Sequence, residues 1–324
     1  MDHPEAPYFD DVAAGPPGGH AVWATGADGV RVRIGLWPRD GTAGTVVMFP
    51  GRTEYVEKYS DAAAALHDRG FASAAIDWRG QGLTERPRAN RMSGHVGDFV
   101  EYQTDVDAYL AALDAAGFPR PFHLLAHSMG GLIGLRSAMR SDLPVLGRPG
   151  FATVVFSAPM WGLPLPPARR LAARVMSGLG GRLGWGERAT PGSGASAEPA
   201  AAPFEANLLT TDPEMFAWMK RQIAAHPDLA LGAPSLGWLG AALIEMLALS
   251  RAPAPGMPCL ALLGDQERIV DPADIRARMA RWPGGRLEMV PDARHEVLME
   301  DAATRARLFD LMADHFRDGT GSTR

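Results

Sequence analysis

Short apolar runs alternate with stretches of helical spacing along most of the chain. Thr45 to Phe49, Phe71 to Ile76, Phe122 to Ala126, Thr153 to Phe156, Cys259 to Leu263 and Arg286 to Val290 are brief and mostly apolar, the pattern of strands covered on both faces. Between them, Tyr55, Tyr59, Ala62 and Leu66 mark one face of a helix that should end before Gly70. Asp98 and Glu101 form a capping box ahead of Phe99, Tyr102, Val106, Tyr109 and Leu113, a second amphipathic helix. Near the start, His20 to Thr25 and Val30 to Trp37 flank Gly26-Ala27-Asp28-Gly29, whose Asp-Gly pair signals a hairpin and so an antiparallel edge. Helices opening at Asp271 and Asp301 complete the alternation. The expected class is α/β, with a mostly parallel, doubly wound sheet.

The alternation stops between Ser157 and Pro258. About one hundred residues stand there in place of a connection of a few, which predicts a helical cap inserted after the sixth strand. Residues 1–157 and 258–324 would then form the core and 158–257 the cap. Helical segments are expected over Pro166 to Leu179, Asp212 to His226 and Leu236 to Ser250, and Ala189 to Pro203 reads as a mobile loop rich in proline, glycine and alanine. Of the cap's Trp161, Trp185, Phe216, Trp218, Trp238 and Met246, most should pack internally. The remainder, Trp161 and Trp238 first, should line a pocket.

Composition narrows the class. With 324 residues, 46% hydrophobic and 21% charged, the chain suits a soluble globular protein with one α/β domain and an insertion, or two small domains. A net charge of −5 leaves no whole-chain footprint for nucleic acid, and no nucleic-acid motif is present. Cys259, the single cysteine, has no partner for an internal disulfide, which points to a reducing cytoplasm. Met1 to Pro17 has no basic region followed by an apolar block, so no secretory signal is expected. Leu236 to Leu249, the longest apolar stretch, is broken by Glu245 and falls short of the roughly 20 residues that cross a bilayer. A cytoplasmic protein touching membranes at most peripherally, through the cap, is the expectation, with no obligate protein partner.

Chemistry concentrates at Phe122 to Leu132, a strand that runs through Ser128 into a helix. In a nucleophile elbow the serine sits on a strained turn, and the residues two before and two after it must be small. Ala126 and Gly130 fill those positions, the alanine adding one methyl to the usual glycine, and Gly131 permits close packing of helix on sheet. A serine hydroxyl needs a base within hydrogen-bond reach and a carboxylate to orient that base, in the chain order serine, acid, histidine on this scaffold. Only His295 and His315 follow the late strands. His315 shares a helix face with Leu308 and Met312, so His295 is the candidate. Asp271 precedes Pro272 as a helix N-cap would, which leaves Asp265 and Glu267 as alternatives for the acid.

The chain resembles the lysophospholipase and monoacylglycerol lipase branch of the α/β-hydrolase superfamily, bacterial lysophospholipases in particular. The resemblance rests on Pro50 to Tyr55, Asp77 to Gly82, Ala126 to Gly131, Gly264 to Asp271, His295 to Val297, and the cap segments Asn207 to Asp212 and His226 to Gly232. It implies the α/β-hydrolase fold and Glu267 as the acid, because in that branch the acid stands three residues after the glycine that ends the strand. It implies, too, that the backbone N–H groups of Arg52 and Met129 form the oxyanion hole. The expected activity is hydrolysis of carboxylic esters of small amphiphilic lipids by Ser128, His295 and Glu267, with no cofactor and no metal. The rivals are an aminopeptidase of the same fold, which would hold a substrate ammonium with Glu205, Asp212 or Glu214, and a non-catalytic receptor. For the Arg52 side chain the expected partner is Glu54 or Glu57; a lipid head group is the alternative.

Overall fold

The computed structural model describes residues 3–86, 91–143, 150–166, 186, 188, 190 and 203–321. In chain order its strands are β1 (Glu5–Ala6), β2 (His20–Thr25), β3 (Arg31–Trp37), β4 (Thr45–Phe49), β5 (Ala72–Asp77), β6 (Phe122–His127), β7 (Thr153–Ser157), β8 (Cys259–Gly264) and β9 (Arg286–Val290). They form one nine-stranded sheet in the order β1-β2-β3-β5-β4-β6-β7-β8-β9. The first three strands and the β3–β5 pair are antiparallel, and every pair from β5 to β9 is parallel. The two-residue β1 is too short to leave a periodic trace in the sequence. Counting it, the long interruption follows the seventh strand rather than the sixth.

The apolar runs are continuous because each strand feeds two cores. Val47 and Phe49, Leu124 and Ala126, Val154 and Phe156, Ala261 and Leu263 point to one face, where α2 (Glu101–Ala115) and α3 (Ser128–Met139) pack. Val46, Met48, Leu125, Val155, Leu260 and Leu262 point to the other, against α1 (Ser60–Asp68) and the last helix. Period-two alternation is thus present but carries no polar partner residues, as expected of a sheet covered on both sides. Register places Phe49 beside Ala126 and Ala126 beside Phe156, so the loops after β4, β6 and β7 emerge together at one end of the sheet.

Within residues 158–257, α4 (Pro213–Ala225) starts at Asp212, whose carboxylate accepts from the Glu214 and Met215 amides, and α5 (Leu236–Arg251) starts at Ser235, which accepts from Trp238. Helix α5 lies on the core: Trp238 stands edge-on to Phe99 at 5.6 Å and Glu245 pairs with Arg136 of α3. Helix α4 and its approach pack separately, with Leu209, Met215, Phe216 and Met219 around Met299. Trp185 lies outside the described residues. So do the predicted helix Pro166 to Leu179 and the predicted loop Ala189 to Pro203, apart from Pro166, Thr190 and Pro203. After β8 come α6 (Pro272–Met279), capped by Asp271, and α7 (Ala302–Gly321), whose first amides are held by Asp301. No helix among the described residues is long and apolar enough to cross a membrane.

Candidate active site

At the end of β6 the chain turns sharply into α3. Ser128 has φ +49°, a left-handed conformation that costs a non-glycine residue of order 1–3 kcal/mol and holds the hydroxyl out from the sheet. The neighbouring small residues are a steric requirement. A Cβ on Gly130 would stand 2.1 Å from the Phe49 carbonyl oxygen, and one on Gly131 would stand 2.5 Å from Pro159 Cβ. Ala126 is accommodated from the helix side, since a Cβ at Gly134 would lie 3.1 Å from the Ala126 methyl carbon.

Three loops at the carboxyl end of the sheet bring Ser128, His295 and Glu267 together. The Ser128 hydroxyl oxygen is 2.9 Å from His295 Nε2, and His295 Nδ1 is 2.7 Å from Glu267 Oε2. The other carboxylate oxygen of Glu267 accepts from the Ile269 amide at 2.6 Å and the Val270 amide at 3.0 Å, so the side chain is clamped by its own loop. Burial by itself raises the Glu267 carboxyl. The hydrogen bond and charge of His295 and the two amides outweigh it, and the group titrates below its ordinary value. An ionised Glu267 requires the proton on His295 Nδ1, which leaves Nε2 free to accept from Ser128. Asp265 in the same loop is exposed, Asp271 caps α6 through the Ala273 amide, and His315 contacts the Val154 carbonyl on the far side of the sheet.

Ser128 and His295 open on a cavity of about 320 Å³, walled mainly by apolar groups including Leu163, Leu209, Met219, Ile223 and Leu239. Trp238 lines it, as expected. Trp161 does not: its indole N–H donates to the Gly131 carbonyl at 3.1 Å, and its ring packs on Phe156 and Trp282 beneath α3. Met160 and Leu163, on either side of it, take its place in the wall. Arg52 also lines the cavity, and its expected ion pair is absent. Glu57 is held bidentately by Arg33, and Glu54 accepts from the Gly51 amide, Lys58 and Tyr59, so both carboxylates are already committed. The Arg52 guanidinium instead lies over Trp238, 5.3 Å from the ring centroid, and its Nε and Nη2 are buried with no hydrogen-bond partner among the described residues. Desolvation pulls its pKa down to about 10, which still leaves it charged at neutral pH.

A buried charged group that the sequence reading missed lines the same cavity. Lys58 Nζ bonds Glu54 and, at 2.7 Å, Glu296; His127 Nε2 is 3.3 Å from Glu296, and His127 Nδ1 is 3.1 Å from the Ser157 carbonyl. Burial lowers the His127 pKa, but the Glu296 and Glu54 carboxylates raise it further, so it lies above its ordinary value. Burial raises Glu296, yet His127 and Lys58 hold it well below the usual carboxylate range. Lys58 and His127 thus stand directly against Glu54 and Glu296. Three of the four adjoin a candidate site residue: His127 precedes Ser128, Glu296 follows His295, and Glu54 holds the Gly51 amide beside Arg52. Glu54, His127 and Glu296 each place a possible ligand atom within 4.8 Å of the others, but the Lys58 ammonium already serves as their cation. The available signal was adjacency, a His before the serine and a Glu after the histidine.

Gln81 joins the remaining pieces. Its Oε1 accepts from the Thr53 amide at 2.7 Å, and its Nε2 contacts Met129 Sδ at 3.5 Å, which ties the loop after β4 to the first turn of α3. Thr53 has φ +69°, so this loop is held in a sparsely populated conformation.

The family model Hydrolase_4, described as serine aminopeptidase S33, matches residues 40–302. Lysophospholipase L2 of Escherichia coli K12 is 29% identical over 301 residues, 90% of this chain and 86% of the relative, and the probable lysophospholipase L2 of Haemophilus influenzae is 29% identical over 284 residues, covering 87% and 86%. Among solved structures, a soluble variant of monoglyceride lipase from Saccharomyces cerevisiae in complex with a substrate analog superposes with a TM-score of 0.73 at 19% identity, covering 97% of this chain and 99% of that one. That likeness speaks to the fold.

Proposed function

The chain belongs to the serine aminopeptidase S33 (Hydrolase_4) family, and from that premise we propose that it is a serine hydrolase of carboxylic esters of amphiphilic lipids, a lysophospholipase or monoacylglycerol lipase. The observation that carries the reading is the Ser128–His295–Glu267 relay opening on an apolar cavity. The lysophospholipase L2 relatives support the choice of a lipid ester.

Ser128 Oγ attacks the ester carbonyl while His295 Nε2 takes its proton. Glu267 stays ionised and stabilises the imidazolium that forms. The tetrahedral oxygen is held by the backbone N–H groups of Arg52 and Met129; Met129 lies in the first turn of α3, where amides have no intrahelical acceptor. Collapse expels the alcohol, which takes the proton from His295. Water then attacks the acyl-enzyme, giving up a proton to His295, and the fatty acid leaves as Ser128 is restored. The core over 1–157 and 258–324 supplies these groups, and the inserted 158–257 segment, acting as a cap, supplies Leu209, Met219, Trp238 and Leu239 for the acyl chain. Contact with a membrane surface would be peripheral and made through that segment.

The aminopeptidase alternative needs an uncompensated carboxylate facing the substrate. Asp212 is spent on the start of α4, Glu205 and Glu214 are exposed, and the cavity-lining Glu54 and Glu296 are neutralised by Lys58 and His127. A fluorophosphonate probe should label Ser128, and Ser128→Ala should lose labelling together with turnover of lysophospholipids and monoacylglycerols. Labelling elsewhere, or turnover of prolyl amides in preference to esters, would overturn the proposal.

A further inference from the structure

One charged group in the cavity wall has no contacting carboxylate among the described residues. Glu54 and Glu296 are matched by Lys58 and His127, and Glu267 by its hydrogen bond from His295. Arg52 remains. Its Nε and Nη2 are buried and make no hydrogen bond among the described residues, and its Cζ lies 5.3 Å from the centroid of Trp238, whose own indole N–H is fixed on the Tyr102 hydroxyl at 3.2 Å. A buried cation with open donors carries an uncompensated desolvation cost, and such groups are rare in folded proteins unless something else satisfies them. The Trp238 ring lies against the guanidinium, and the Nε–Nη2 edge keeps its hydrogen-bonding capacity unused. That edge offers paired N–H groups in the geometry that grips two oxygens of one phosphate.

Position fits the same conclusion. Arg52 lines the cavity that Ser128 and His295 open on, and its own amide is the proposed oxyanion donor. The reach of an arginine side chain is comparable to the glycerol span between the ester and the phosphorus of a 1-acyl lysophospholipid. We propose that the Arg52 side chain receives the phosphate of a lysophospholipid head group, so that the site prefers an anionic head to neutral glycerol. The assignment rests on the lipid-esterase reading above and deepens it.

The test holds the acyl chain constant and varies the head. Turnover of 1-palmitoyl lysophosphatidylcholine and 1-monopalmitoylglycerol is measured in the same detergent micelles for the wild type, Arg52→Met and Arg52→Lys. Arg52→Met should lower the lysophospholipid to monoacylglycerol ratio of kcat/KM by about 10- to 100-fold, with Arg52→Lys falling between the two. Arg52→Gln replaces the Met variant should that one fail to fold. An unchanged ratio, with both activities lowered in parallel, would overturn the head-group assignment and leave the esterase reading standing. Failure of the wild type on both lipids would instead defeat the esterase reading. Inorganic phosphate provides the remaining arm. If it inhibits monopalmitoylglycerol turnover at low millimolar concentration and Arg52→Met abolishes the effect, the site takes a free anion and the head-group assignment fails; no such inhibition is expected.

Discussion

Two sets of charges flank Ser128, and they are built on opposite principles. Glu54, Lys58, His127 and Glu296 are buried and bonded to one another. In the same cavity wall the Nε and Nη2 of Arg52 are buried and meet no carboxylate among the described residues. A closed quartet of that kind has nothing left with which to bind a ligand, and its bonds run between the chain neighbours of the catalytic residues. A lone cation does nothing for the fold except stack on Trp238. The contrast separates charges that hold the site in shape from charges that wait for substrate, and the same division appears in the acid loop, where Glu267 is partnered and Asp265 is exposed.

The sharpest way to break this comparison is at the acid loop. Glu267→Gln should lower kcat by a factor of about 10⁴, the scale seen when the analogous carboxylate of a serine protease is made an amide, because the histidine tautomer is no longer held. Asp265→Asn should change kcat little. Steady-state kinetics on one ester decide it, and the reverse order would move the acid to Asp265.

Next in size is the quartet. Glu296→Gln leaves Lys58 and His127 with a single carboxylate between them, and breaking a buried pair costs about 3–5 kcal/mol. Denaturant unfolding should show that loss, whereas Arg52→Met, which removes an unpaired buried cation, should unfold no more easily than the wild type. The pH dependence follows from the same groups. Glu296 is lowered from an ordinary 4.5, so its contribution is complete above that value and is lost as pH falls through the lower folded one. His127 is raised from 6.5, so its contribution is complete below that value and is lost as pH rises through the higher folded one. Stability should therefore peak between the two, and Glu296→Gln should remove much of the acid limb and move the alkaline limb to lower pH. Melting temperature against pH measures both.

The sequence was informative where local patterns decide structure and weak where distant partners do. The strand runs, the capping residue Asp271, and the need for a small residue at Gly130 each follow from a few adjacent residues, and the α/β sheet could be read from the strand runs. The acid could not be chosen on chemistry alone; resemblance favoured Glu267, and in the structure it is Glu267 that meets His295. Arg52 was expected to pair with Glu54 or Glu57, as surface-loop arginines usually find such partners. Yet Arg33, on β3, holds Glu57 with two bonds, and Glu54 is taken by the Gly51 amide, Lys58 and Tyr59. Trp161 was expected in the pocket wall as part of the cap's aromatic surface, and its indole N–H is instead bonded to the Gly131 carbonyl of α3. Both errors concern contacts made across the fold, which no local periodicity records.

The smallest expected effect tests the apolar side of the site, where no charge helps. Leu163, Leu209, Met219, Ile223 and Leu239 contribute only contact area, so recognition of the acyl chain should be graded rather than all-or-none. Burying one methylene is worth about 0.8 kcal/mol, which corresponds to about a fourfold rise in kcat/KM for each step of chain length. A p-nitrophenyl ester series from acetate upward, assayed below its aggregation limit, should climb with about that slope and then flatten once the cavity is full. The same series on Arg52→Met should keep its slope, because the acyl wall and the guanidinium contact different parts of the substrate. A slope that collapses with Arg52 would mean that cation and wall form one surface, and a preference for acetate over every longer ester would mean that the apolar lining is not an acyl pocket.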